Sequence, residues 1–81
     1  ELYVLKNPVS DRIDLVASGS VTGLYSYSIL TTGGQTMQTG TINISQAGVH
    51  PIELRSAMAA GSYMLILQNA NIRLQKMIIK Q

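Results

Sequence analysis

Residues 61–81 read Gly61-Ser62-Tyr63-Met64-Leu65-Ile66-Leu67-Gln68-Asn69-Ala70-Asn71-Ile72-Arg73-Leu74-Gln75-Lys76-Met77-Ile78-Ile79-Lys80-Gln81. Two runs of β-favouring side chains flank Asn69-Ala70-Asn71, and Asn tolerates the positive φ that short hairpin connections need, so the stretch predicts a closing β-hairpin. In the first arm Tyr63, Leu65 and Leu67 hold one phase and Met64 and Ile66 the other, the pattern of a strand covered on both faces near the centre of a sheet. In the second arm Ile72, Leu74 and Ile78 hold one phase while Met77 and Ile79 take the other. A one-residue bulge near Gln75-Lys76 reconciles the two halves and turns Lys76 and Lys80 outward together, about 13 Å apart at about 3.3 Å of rise per residue. On residue chemistry alone, two lysines on a terminal strand read first as protection against edge pairing.

The chain of 81 residues is one domain, and folding at that size removes only about 60 % of the unfolded chain's surface from water. It has no cysteine, so apolar packing alone must hold the core; the lack of thiols does not identify a compartment. Six basic and four acidic residues give a net charge of +2. No Lys/Arg cluster tracks a phosphate backbone, which argues against nucleic acid as a partner. No apolar run approaches the roughly 20 residues that span a bilayer. The opening Glu1-Leu2-Tyr3 has neither an initiator Met nor a signal peptide, which suggests a piece of a longer protein.

Leu2-Tyr3-Val4-Leu5 predicts a first strand, stopped by Lys6-Asn7-Pro8 because proline cannot donate to a ladder. In Asp11-Arg12-Ile13-Asp14-Leu15-Val16-Ala17 the polar Arg12 and Asp14 oppose Ile13, Leu15 and Ala17, so this second strand has one wet face. Ser18-Gly19-Ser20 ends it. Tyr25, Tyr27 and Ile29 alternate with Ser26 and Ser28 in the third strand, and Thr31-Thr32-Gly33-Gly34 turns the chain back. Residues 35–44 form the fourth, whose apolar phase slips between Met37 and the Ile42, Ile44 pair; Gly40 at the slip suggests a bulge there. After Ser45-Gln46-Ala47-Gly48, the residues His50, Ile52 and Leu54 alternate with Pro51, Glu53 and Arg55, and Pro51 confines this fifth segment to an edge or a strand start. Ser56-Ala57-Met58-Ala59-Ala60 is too short for a stable helix and predicts a single turn that carries Met58 into the core. Seven short strands separated by Gly, Ser and Asn turns predict an all-β, antiparallel immunoglobulin-like β-sandwich, without the Cys and Trp hallmarks of antibody domains.

Little in the chain supports catalysis. The one histidine, His50, lies beside Pro51 on an expected edge, and no strained nucleophile turn accompanies it. Asp11, Asp14 and the Asn7 amide lack the spacing of a loop that supplies the six or more oxygens Ca²⁺ prefers. No metal, cofactor or catalytic residue is expected. Tyr3, Tyr25, Tyr27 and Tyr63 are expected in the core rather than on a sugar-stacking platform, because the chain has no Phe or Trp to fill it. Asn43-Ile44-Ser45 matches the glycosylation sequon, a pattern common by chance.

Three blocks carry a resemblance across the whole chain. Val4-Leu5-Lys6-Asn7-Pro8-Val9-Ser10-Asp11-Arg12-Ile13 is similar to a Pro-Asn-Pro turn and the strand behind it, with Lys6 in place of the first proline. Met58-Ala59-Ala60-Gly61-Ser62-Tyr63-Met64-Leu65 resembles a Leu-x-x-Gly-x-Tyr signature, with Met58 for the leucine. Gln75-Lys76-Met77-Ile78-Ile79-Lys80 resembles a basic-apolar-basic terminus, and Tyr27 to Gln35 resembles the family's strand-turn-strand with its Gly-Gln pair. Together they resemble the type A C-terminal sorting domain of the type IX (Por) secretion system of Bacteroidetes.

The resemblance implies a folded, non-catalytic address. It would carry an N-terminally attached cargo through the periplasm and across the outer membrane to the cell surface or the medium. There a sortase-like protease removes it and anionic lipopolysaccharide is joined to the cargo. The expected recognition residues are Lys76, Met77, Ile78, Ile79 and Lys80, with Gly61, Tyr63, Asn7 and Pro8. On this view the exposed terminal strand offers backbone groups for affinity and its lysines for orientation. Two other readings stay open: a domain retained in the sorting machinery that holds anionic lipopolysaccharide through scattered Lys and Arg, and a structural module that steadies an adjacent protease or adhesin domain.

Overall fold

A computed structural model describes residues 1–81. Seven strands run β1 (Leu2–Val4), β2 (Arg12–Ala17), β3 (Gly23–Thr31), β4 (Thr36–Ile44), β5 (Gly48–Glu53), β6 (Gly61–Gln68) and β7 (Arg73–Lys80), with one 3₁₀ turn at Gly19–Val21. They form two antiparallel sheets, β1-β2-β5 and β4-β3-β6-β7. This is the immunoglobulin-like sandwich with its fourth strand on the larger sheet.

Alternation explains the core. Ile13, Leu15 and Ala17 of β2 and Ile52 of β5 face Tyr25 and Ile29 of β3, Ile44 of β4, Tyr63, Leu65 and Leu67 of β6, and Ile78 of β7. Eight of these are under 2 % exposed, each worth about 1.5–3 kcal/mol of transfer free energy. Val9 and Met58 complete the cluster from loops. The turn before Met58 is closed by Met58 N–H donating to the Arg55 carbonyl at 3.1 Å, which seats the side chain without any helix. Pro51 falls on β5, at the edge of the smaller sheet, and β6 is central in the larger one.

Several local expectations are corrected. The β6–β7 ladder runs without a break from Gly61 opposite Lys80 to Gln68 opposite Arg73, so there is no bulge at Gln75-Lys76. Met77 and Ile79 hold the outer face of a regular strand, 42 % and 47 % exposed. Lys76 and Lys80 therefore share the core-facing side with Ile78, and Lys76 reaches water because it stands at the rim of the larger sheet. The outer phase of β6, Met64 and Ile66, is only half-buried, with no third layer over it.

The irregularity in the β3–β4 pair also lies elsewhere than expected. It falls between Ile29 and Leu30, which pair with Gln38 and Thr36 and skip Met37. Gly40 instead stands opposite Tyr27, where a Cβ would come within 2.8 Å of the phenol oxygen; glycine leaves room for the ring to lie across β4. No non-glycine residue has positive φ. Asn69 serves the hairpin as an acceptor instead, its Oδ1 taking the N–H groups of Asn71 at 2.9 Å and Ile72 at 2.8 Å. Among the tyrosines, Tyr25 and Tyr63 are core and Tyr27 is half-buried. Tyr3 is 44 % exposed, on the outer face opposite Val16, because odd positions of β1 point away from the other sheet.

Candidate functional site: the terminal hairpin and its clasp

Two tyrosines set where the hairpin begins. The Tyr63 hydroxyl donates to the Ala59 carbonyl at 2.5 Å and the Tyr25 hydroxyl to the Val21 carbonyl at 2.6 Å, each four residues upstream. Each tyrosine follows a glycine by two positions, Gly61 at φ +151° and Gly23 at φ +144°, a region that side chains with a Cβ rarely adopt. The same Gly-x-Tyr device thus opens β3 and β6, and at β6 it occupies the position of the tyrosine corner of immunoglobulin-like sandwiches. Gly61 opens the hairpin at an exposed position, and Tyr63, two residues on, is buried in the core.

The outer edge of β7 is partly covered by the Asn7-Pro8-Val9 turn, a correction to the expectation of a wholly free terminal strand. Asn7 Nδ2 donates to the Met77 carbonyl at 3.1 Å and Ile79 N–H donates to Asn7 Oδ1 at 3.0 Å. Val9 N–H donates to the Ile79 carbonyl and Gln81 N–H to the Val9 carbonyl, both at 2.8 Å, in a parallel bridge of Val9 with Lys80. Because both polar groups of Ile79 face the turn, ladder alternation points those of Gln75 and the N–H of Met77 the same way. No strand lies beside that stretch.

A second carboxamide closes the opposite flank. Gln38 Nε2 donates to the Glu53 carbonyl at 2.7 Å, and Arg55 N–H donates to Gln38 Oε1 at 2.9 Å. Gln38, Val9 and Gln81 carried no signal in the sequence: each is an isolated residue whose role depends on which edges the fold brings together.

Charge is segregated. The four-stranded sheet carries only Arg73, Lys76 and Lys80, all on β7. The four acids, Glu1, Asp11, Asp14 and Glu53, all lie on or next to the strands of the smaller sheet. The one ion pair joins Arg12 to Asp14 at 3.2 Å, so no β7 cation meets an acidic side chain. Lys80 Nζ donates to the Gln81 main-chain oxygen at 3.3 Å and Arg73 to the Gln68 and Gln75 carboxamides, which leaves Lys76 without a partner. Outside, the row Leu30–Met64–Met77 crosses three strands, and with Ile66 it lines a shallow groove of about 240 Å³.

The remaining sequence candidates do not converge with this hairpin. His50 Nε2 lies 2.8 Å from the Gln46 carbonyl, and Asn7 is committed to β7 while Asp14 holds Arg12. No helix is long and apolar enough to cross a membrane.

Comparison of the whole sequence with curated proteins finds no match. The family model described as "Secretion system C-terminal sorting domain" matches residues 4–81, which includes the clasp turn, both Gly-x-Tyr corners and the terminal hairpin. The chain therefore belongs to the family of type IX secretion C-terminal sorting domains, signals for export across the outer membrane to the cell surface or the medium.

Proposed function

We propose that the domain is the terminal address of a longer precursor and that the β6–β7 hairpin is the part the type IX translocon reads. The cargo precedes it, passes through the periplasm, and is delivered to a sortase-like protease that removes the domain and joins anionic lipopolysaccharide to the cargo. The domain itself performs no chemistry. The observation that carries this reading is the charge pattern: the only charged residues of the larger sheet are three cations on one edge strand, none matched by an acidic side chain. Unmatched cations at a sheet edge orient a partner and raise its rate of encounter. Lys76, Lys80 and the exposed Met77 and Ile79 are the contact residues; Ile78, Gly61, Tyr63, Asn7 and Pro8 hold them in place.

Removing residues 76–81 is a poor test, because it also takes away the buried Ile78 and the partners of Asn7 and Val9. The double charge reversal Lys76→Glu, Lys80→Glu in the full-length precursor keeps the fold and is expected to leave folded cargo in the periplasm. Normal surface display of that variant would overturn the proposal.

The same cations favour a second reading, a retained domain that holds anionic lipopolysaccharide on β7 rather than through scattered residues. Saturable, salt-sensitive binding of purified lipopolysaccharide, lost in the double reversal, supports it; salt-insensitive or absent binding removes it.

A further inference from the structure

We infer that the uncovered stretch of β7, residues 73–77, is a strand-addition site for an extended partner segment that alternates acidic and apolar side chains. The inference rests on the hairpin being the part that is read, and it adds the chemistry of the reader. The Asn7-Pro8-Val9 turn occupies the edge from the Met77 carbonyl to Gln81 N–H. What remains is both polar groups of Arg73 and of Gln75 and the N–H of Met77, turned outward by the alternation that directs Ile79 to the clasp. Unpaired edge groups of this kind recruit a further strand through main-chain hydrogen bonds, with alternate side chains setting specificity.

The two faces of β7 specify those side chains. Lys76 stands on one face, opposite Leu65, and Met77 on the other, at the end of the Leu30–Met64–Met77 row. A partner residue next to Lys76 meets an unpaired ammonium, and its neighbour meets an apolar row that two methionines make adaptable. Carboxylates on one phase and apolar groups on the other satisfy both.

A second copy of this chain does not fit. Antiparallel pairing of β7 with a second β7 about the outward Gln75 would set the two Lys76 side chains diagonally across the new ladder and bring no acidic side chain to either, and like charges so close across strands are destabilising. A free edge only about 10–15 Å long and one strand deep also offers much less contact area than the roughly 800 Å² per partner of a standard stable interface. The clasp limits the added strand to the N-terminal half of β7, so the partner is expected to stop or turn away at Met77.

The test uses the 81-residue chain, labelled for amide NMR, and the blocked peptide Thr-Glu-Val-Glu-Val-Glu-Thr. Its lysine-for-glutamate counterpart is the control. The acidic peptide is expected to shift and protect the amides of Gln75 and Met77, saturably, and to weaken at least tenfold in high salt. The lysine peptide is expected to do neither. Gln75→Pro removes the outward N–H together with the carboxamide that accepts from Arg73 at 3.4 Å, takes no hydrogen bond from the ladder to β6 and should abolish binding, with unchanged Leu65 and Leu67 amides reporting the fold. Lys76→Glu should weaken binding severalfold without touching the backbone. Unchanged affinity in a folded Gln75→Pro domain, or no shift at Gln75 and Met77 at millimolar peptide, overturns the inference. If the peptide fails while Lys76→Glu, Lys80→Glu still blocks export, strand addition falls and the sorting reading stands.

Discussion

Asn7 and Ile79 are separated by 72 residues, yet Ile79 N–H donates to Asn7 Oδ1 at 3.0 Å while the other end of the same carboxamide holds the Met77 carbonyl. One side chain thereby stands in for a stretch of neighbouring strand along a sheet edge. Gln38 does the same for Glu53 and Arg55 across the opposite flank. A sandwich with four strands facing three has open sides, and these two amides with Val9 close them.

Loss of the Asn7 amide should therefore be felt at the chain terminus. Asn7→Ala removes two hydrogen bonds and is expected to cost about 1–2 kcal/mol in urea unfolding. Amide exchange at Ile79 and Gln81 should speed up before that of Leu65. Asn7→Asp keeps the acceptor for Ile79 and loses the donor to Met77, so its cost should be about half as large.

The regular register of β7 separates its neighbours sharply. Ile78→Ala empties a site 1 % exposed and is expected to cost about 2–5 kcal/mol. Met77→Ala and Ile79→Ala, on the outer face, should each cost under about 1 kcal/mol, the scale of ordinary surface changes. Had a bulge stood at Gln75-Lys76, the costs at 78 and 79 would be reversed, so denaturant midpoints for the three variants check the ladder directly.

The tyrosine corners are expected to be separable. Tyr63→Phe and Tyr25→Phe each remove one hydroxyl that donates to a backbone carbonyl, at a cost of about 0.5–1.5 kcal/mol. The two hydroxyls bind different loops, near Ala59 and Val21, so the double variant should show the sum in thermal or urea unfolding. Gly61→Ala should add about 1 kcal/mol or more, since φ +151° suits only glycine well.

Gly40 and Tyr27 form a coupled pair. A methyl group at Gly40 would meet ring atoms of Tyr27 at 2.8–2.9 Å, so Gly40→Ala is expected to destabilise by about 1–2 kcal/mol through displacement of the ring. In Tyr27→Ala the same substitution should cost little, because alanine is otherwise the better strand residue of the two. A double-mutant cycle in urea reads the coupling.

Strand positions and the identity of the core phase in β2, β3 and β6 were legible from the chain alone. These depend on local alternation and on turn chemistry, which neighbouring residues carry within a few positions of one another. The family resemblance was legible for the same reason, since its motifs are those turns and strand ends. The sequence reading was misled where both phases of a strand are apolar. In β7 it placed a slip because Met77 and Ile79 looked like core, whereas they belong to an outer apolar face that exists only once β3, β6 and β7 lie side by side.

Pro51 marked β5 as an edge in advance and the apolar phases of β6 marked it as central, but tertiary structure decided the edge at β7. Which strand ends a sheet, what covers it, and which of its amides stay free depend on pairings as remote as Asn7 with Ile79, and backbone groups leave no trace in side-chain chemistry. The cations of β7 were visible as residues, but their isolation from every acidic side chain follows from the separation of the two sheets. Composition shows how many charges a chain has; only the fold sets the distances over which they act.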